Sequence, residues 1–215
     1  MKFHRVAAAA TRCPTQLWVM LPGAYMKPAD FIEAGFVDAV RQRDLPHDIE
    51  LLEAGIDEVA DGSALAFLQE FLRARAVRAP RRVALLGISL GAHLALSCMA
   101  RSPALRVRSA FLLAPYLGPR NIVAQVQAQM ASPRTERAQA TDGDVDRVIW
   151  HWLRNRPAGA PNLYLGYGSD DRFAPAHALM AQTLPAGHVD VQPGAHAWPV
   201  WTALWQRHLD HRYGR

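Results

Sequence analysis

Along this chain, short runs that are apolar at nearly every position alternate with longer segments whose apolar residues recur every three or four positions. The first kind reads as strands buried on both faces and the second as helices lying against them. Gln16 to Leu21 is a strand candidate, and Pro28 to Arg43 a helix presenting Phe31, Ile32, Phe36, Val37 and Val40. Pro28 enters that helix where its missing N–H does no harm. Asp48 to Leu52 and Asp61 to Ala76 repeat the pair, the helix carrying Leu65, Phe67, Leu68, Phe71 and Leu72. Arg82 to Ile88 and Leu90 to Ala100 form a third pair, and Arg108 to Ala114 a fourth strand. Between Gly118 and Pro157 the texture becomes polar and interrupted by prolines, with a break at Asp142-Gly143-Asp144 before Val145 to Leu153. That stretch reads as an insertion. Alternation resumes with a strand at Asn162 to Tyr167, a helix from Pro175 to Thr183, a strand at His188 to Gln192 and an amphipathic helix from Pro199 to His211. The residues before Gln16 show no clear pattern.

Strands spaced by helices imply right-handed crossovers. The expected fold is therefore α/β: a mostly parallel sheet of about six strands with helices on both faces and active residues at the strands' carboxyl ends. A length of 215 residues, half of them apolar, suits one domain over 1–215 with a small helical, cap-like insertion at about 118–157.

Charge changes the picture little. The formal net charge is +5, and of 24 basic residues all but Lys2 and Lys27 are arginine. They are spread along the chain among acids, without the basic stripe and stacking aromatics of a nucleic-acid groove, so no nucleic-acid partner is expected. Arg or His interrupts every apolar run long before membrane-spanning length, and no membrane partner is expected either. Met1 to Ala10 imitates a signal peptide, but its apolar part is too short. Cys13 and Cys98 sit in unlike contexts that do not suggest a staple, so a reducing cytoplasmic location is expected. No metal or cofactor is implied: the histidines show no paired-ligand spacing with a third donor. The sequence is silent on oligomeric state.

Candidate chemistry centres on Gly87-Ile88-Ser89-Leu90-Gly91, between an expected strand and an expected helix. G-x-S-x-G at such a junction is the pattern of a turn too sharp for side chains beside it, which pushes the serine hydroxyl out above the sheet. The ordinary alternative is a serine capping the helix. A serine nucleophile needs a base, an anion to orient the base and N–H donors for the developing oxyanion. The acid candidates are Asp170 and Asp171 in Tyr167-Gly168-Ser169-Asp170-Asp171-Arg172-Phe173-Ala174-Pro175, Asp170 suiting a helix cap equally well; the choice of Asp171 follows from the resemblance described below. The base candidate is His196 in Pro193-Gly194-Ala195-His196-Ala197-Trp198, after the last strand. His4, His47, His177, His208 and His211 fall in tails, turns or helix surfaces and read as solvated, whereas His93, one turn past Ser89, suits packing or substrate contact. The backbone N–H of Leu90, at a helix start, is one oxyanion donor. Pro22-Gly23-Ala24-Tyr25 supplies the second, Ala24 being preferred over its neighbour Tyr25.

Gly87-x-Ser89-x-Gly91, Gly168-x-x-Asp171-x-x-x-Pro175 and Gly194-x-His196-x-Trp198, in that order, resemble the α/β-hydrolase family of serine esterases, lipases, thioesterases and peptidases. The resemblance spans nearly everything from Gln16 onward. It implies the α/β-hydrolase fold, reduced at its N-terminus, with Ser89 as nucleophile, Asp171 as orienting acid and His196 as general base. The family's oxyanion loop commonly begins His-Gly, where this chain has Pro22-Gly23. The activity implied is hydrolysis of a carboxylic ester or thioester of a small to medium molecule through an acyl-enzyme. Amide or peptide hydrolysis and acyl transfer use the same residues, and a non-catalytic ligand-binding scaffold uses the same fold. Tyr25, Met26, Tyr116 and Trp198 flank the expected site and are candidate substrate contacts, each with core packing as its alternative.

Overall fold

The structure, a computed structural model, describes residues 1–7, 14–78, 82–131 and 144–214. Cys13 and the Asp142-Gly143 part of the expected break lie outside them. In chain order the elements are β1 (Lys2–Val6), β2 (Gln16–Leu21), α1 (Pro28–Glu33), α2 (Phe36–Gln42), β3 (His47–Glu53), α3 (Ile56–Ala60), α4 (Ser63–Arg78) and β4 (Arg82–Ile88). Then follow α5 (Leu90–Arg101), β5 (Val107–Leu113), α6 (Arg120–Ala131), α7 (Val145–Arg154), β6 (Asn162–Gly168), α8 (Ala174–Ala181), β7 (Val189–Gln192) and α9 (Trp198–Tyr213).

The seven strands form one sheet in the order β1-β3-β2-β4-β5-β6-β7, every neighbouring pair parallel except β1 with β3. All six expected strands are present, and β1 is the addition. Its alternation hid it: Phe3 stacks on Phe71 and Phe67 of α4, with ring centroids 3.9 and 5.4 Å away. Lys2 reaches the exposed Glu53 at 3.4 Å, and Arg5, on the face of Phe3, reaches the buried Asp48 at 3.1 Å. An edge strand held by opposite charges across one antiparallel ladder carries little hydrophobic signal.

The expected helix from Pro28 to Arg43 is two helices. Gly35 between them takes φ +78, a left-handed conformation that turns the chain, and the Phe31 and Phe36 rings then meet edge to face at 5.5 Å. A short helix, α3, precedes α4, and α6 and α7 lie within the stretch expected to be a helical insertion.

The strand order reverses at β2: one crossover leads outward to β3, and the next returns to β4 on the other side. A crevice opens at the carboxyl ends of the strands at such a switch point. The ends there are level, Leu21 pairing with Gly87 and Ile88 with Leu113. Below them the strands are filled by Trp18, Val19, Met20, Leu85, Leu86, Phe111 and Leu112, all at most 2% exposed. Trp205 of α9 closes one side, its ring edge on Trp18 at 5.0 Å and its Nε1–H donated to the Phe36 carbonyl at 3.0 Å. Among the described residues, no helix is long and apolar enough to cross a membrane.

Candidate active site

Ser89 lies between β4 and α5 at φ 52°, ψ −110°, a backbone conformation that costs a residue with a Cβ on the order of 1–3 kcal/mol. Three hydrogen bonds hold it there. Its N–H donates to the Leu113 carbonyl at 2.9 Å, and its own carbonyl accepts from Tyr116 and His93 N–H groups, both at 3.1 Å. The flanking glycines permit the turn: a Cβ on Gly87 would stand 2.5 Å from the Ala92 backbone, and one on Gly91 only 2.0 Å from the Leu21 carbonyl oxygen. Ser89 is the residue before α5, yet its hydroxyl makes no capping hydrogen bond, so the ordinary reading of this serine does not hold.

The close approach of Gly91 to Leu21 sets the start of α5 beside the loop that follows β2. Leu90, first in the helix, has no intrahelical acceptor for its N–H. In the loop, Met26 N–H donates to Gly23 O at 3.2 Å, closing a turn with Ala24 and Tyr25 at its tip. The Gly23 N–H is taken by the Met26 sulfur at 3.2 Å, while neither the Ala24 nor the Tyr25 N–H donates to a described residue. Gly23 has the Ile88 carbonyl against it, 3.3 Å from where a Cβ would be.

The two loops after β6 and β7 interlock. A Cβ on Gly168 would lie 2.1 Å from the Gly194 carbonyl oxygen, so the chains touch backbone to backbone. Asp170 pins them from both ends: its N–H donates to Gly194 O at 3.0 Å, and its Oδ2 accepts from Gly194 N–H at 3.0 Å. Asp171, the next residue, faces inward with 4% exposure. Its Oδ2 accepts from His196 Nδ1 at 2.6 Å and its Oδ1 from the Phe173 N–H at 2.8 Å. Burial by itself raises the Asp171 carboxyl; the hydrogen bonds from His196 and Phe173 outweigh it and hold the group below its ordinary value. An ionised Asp171 can only accept, so Nδ1 carries the proton and Nε2 of His196 is left as a bare acceptor. The ring edge of His196 is fixed against Trp201 at 4.9 Å and Phe173 at 5.5 Å.

The flanking candidates divide. Tyr116 stands between His93 and Phe173, at 5.6 and 6.0 Å. Met26 is used within its own turn. Trp198 is wedged among Phe31, Phe36 and Trp201 at 5.4 to 5.8 Å, and Tyr25, at φ 63°, is 87% exposed. Among the described residues no group of three or more His, Cys, Asp or Glu side chains could hold a metal ion.

Three histidines expected to be solvated are buried. His47 is 6% exposed, His208 8%, and His177 is fully buried. His208 is sandwiched in aromatic packing, its ring 4.1 Å from Phe111. Each occupies an inward position of an otherwise apolar face, and for His177 the spacing from Phe173 to Met180 is the one signal that could have shown it. Another pair spans α5 and α7. His93 Nδ1 and Asp146 Oδ1, both buried and without hydrogen-bond partners, face each other at 3.7 Å. Burial drives His93 down to about 4 and, with Asp144 nearby, lifts Asp146 to about 6. Nothing in the sequence ties these two residues together. The α7 helix is fastened as well by Trp150, whose Nε1–H donates to the Leu117 carbonyl at 2.9 Å.

No family model matches this chain, and no curated protein matches it in sequence. Solved structures do. An S-formylglutathione hydrolase from Staphylococcus aureus superposes with a TM-score of 0.67 at 11% identity, over 95% of this chain and 83% of its own. A monoacylglycerol lipase from Paleococcus ferrophilus gives 0.62 at 13%, over 100% and 99%. An alpha/beta hydrolase enzyme from a lagoon-sediment metagenome gives 0.60 at 16%, over 99% and 96%. The chain is similar to these in fold.

Proposed function

We propose that this chain, which has the α/β-hydrolase fold, is a serine hydrolase cleaving carboxylic ester or thioester bonds through an acyl-enzyme. The observation that carries the reading is the His196–Asp171 contact of 2.6 Å, in a chain whose strained Ser89 keeps its hydroxyl out of helix capping. The structural neighbours include a lipase and an S-formylglutathione hydrolase, which supports hydrolase chemistry at this fold.

In this mechanism Ser89 Oγ attacks the substrate carbonyl carbon while Nε2 of His196 takes the hydroxyl proton. The imidazolium is oriented and stabilised by Asp171, which stays ionised. Charge develops on the carbonyl oxygen, and the N–H groups of Leu90 and Ala24 receive it, Leu90 aided by the positive end of α5. Collapse of the tetrahedral intermediate expels the alcohol or thiol, protonated from His196, and leaves Ser89 acylated. Water, deprotonated by His196, then releases the acid and restores the serine. The remaining elements of the proposal are a single domain, a cap built from α6 and α7, a small-molecule substrate met near Tyr116, and a reducing cytoplasmic setting that suits the free, buried Cys98. Ser89→Ala tests the reading: it should abolish turnover of short p-nitrophenyl esters and labelling by a fluorophosphonate while leaving thermal unfolding unchanged. Undiminished turnover would remove Ser89 from the chemistry.

A further inference from the structure

Three loops have to keep their spacing for this chemistry: the elbow after β4, the acid loop after β6 and the histidine loop after β7. The last two are interlocked through Gly168, Asp170 and Gly194. Besides the sheet ladder between β5 and β6, a side chain that the mechanism does not use couples them to the elbow. His177, in α8, is fully buried, and its Nε2 lies 3.0 Å from the Pro115 carbonyl in the loop after β5. A carbonyl only accepts, so Nε2 carries a proton. The next residue, Tyr116, donates its N–H to the Ser89 carbonyl at 3.1 Å. At the other end, α8 is joined to the acid: Ala174 N–H donates to Asp171 O at 2.8 Å, and Phe173 N–H to Asp171 Oδ1 at 2.8 Å. A continuous path thus runs from Ser89 through Tyr116, Pro115 and His177 to Asp171.

Resting on the serine-hydrolase reading, we propose that His177 is a positioning residue, a neutral donor that sets the acid–base pair at its working distance from the nucleophile. Its other nitrogen, Nδ1, is buried without a partner. A partnerless buried nitrogen is costly in a merely structural residue, where an apolar side chain would serve. Its emptiness suits this role: a proton on Nδ1 would create a cation close to Asp171 and compete with His196 for the carboxylate. Burial opposes that proton, holding the imidazole at about 4. The Tyr167 and Phe173 rings pack against the imidazole at 5.0 and 6.5 Å.

The test compares His177→Phe, which fills the space without a donor, with His177→Gln, which can bring an amide N–H toward Pro115. Rates are taken per active site, counted by the burst of p-nitrophenol from a slow-turnover ester. Displacing catalytic groups by an ångström costs roughly 100-fold in rate, so His177→Phe should lower kcat about 10- to 100-fold with KM within a factor of about three. His177→Gln should recover most of the loss. A purely structural role would reduce the number of active sites and leave the rate per site unchanged; that result overturns the inference, as does a loss confined to KM. Should His177→Phe not fold, imidazole ¹⁵N shifts of the unsubstituted protein decide: a neutral ring protonated at Nε2 supports the role, and protonation at Nδ1 refutes it. Failure of the underlying reading looks different, since the unsubstituted protein would then show neither burst nor fluorophosphonate labelling.

Discussion

Replacing Asp146 by asparagine should make the protein more stable, and more so as pH rises. Asp146 stands in the first turn of α7 with its side chain 16% exposed, and its Oδ1 meets the bare side of His93 across 3.7 Å with no hydrogen bond between them. Two acceptors facing each other account for that gap. Burial first, and the neighbouring Asp144 second, lift the carboxyl from 3.8 to about 6. A carboxyl whose folded pKa is raised contributes stability that is full below its unfolded value and is lost as pH climbs through the folded one. The window therefore runs from about pH 4 to about pH 7. At about 1.4 kcal/mol for each pH unit, a rise of that size gives an upper figure of roughly 3 kcal/mol, the cost of keeping the carboxylate charged where it is. An asparagine there cannot ionise, and its amide can donate to His93 Nδ1. Urea unfolding of both proteins between pH 4 and pH 8 measures the difference. We expect Asp146→Asn to be more stable by about 1–3 kcal/mol at pH 8, the advantage fading toward pH 4. Equal stabilities at pH 8, or an advantage that grows as pH falls, would refute the placement of a strained carboxylate between α5 and α7.

The neighbouring aspartates separate by role. Asp171→Asn should cut kcat by about 10⁴-fold on p-nitrophenyl acetate, whereas Asp170→Asn should mainly loosen the interlocked loops, costing about 1 kcal/mol in unfolding experiments. A greater rate loss at position 170 would reverse the assignment. Gly91→Ala forces a methyl to within 2.0 Å of the Leu21 carbonyl oxygen, so α5 and β2 must part. It should destabilise the protein by about 3 kcal/mol or more and slow fluorophosphonate labelling of what remains folded. An unaffected labelling rate would show that this contact does not set the oxyanion donors.

What could be read in the sequence depended on whether the signal was local. Strands such as Gln16–Leu21 and Arg82–Ile88 announce themselves because a sheet covered on both faces needs uninterrupted apolar runs. The candidates Ser89, Asp171 and His196 could be singled out because each follows its own strand in a short loop, bounded by glycines that the backbone contacts require. The β1 strand escaped because an edge position asks little of its sequence, and the turn at Gly35 because a single glycine within a periodic helix pattern does not declare whether it bends the chain. Burial of His47 was not legible, and that of His177 and His208 only as a place in a periodic face. A histidine's surroundings are assembled from elements distant in the chain, and a polar side chain on an apolar face reads equally well as a solvated neighbour. The choice between Asp170 and Asp171 rested on resemblance; in three dimensions one reaches the histidine ring and the other the backbone beneath it.

The Trp150 indole is bonded to the carbonyl of Leu117, the neighbour of Tyr116, whose own N–H holds the Ser89 carbonyl. The insertion is for that reason not an interchangeable module. Swapping α7 for the corresponding segment of a protein of the same fold would remove a strut of the turn at Ser89. A graft of this segment has to carry over an indole at position 150, or the backbone that holds the Ser89 carbonyl loses its support.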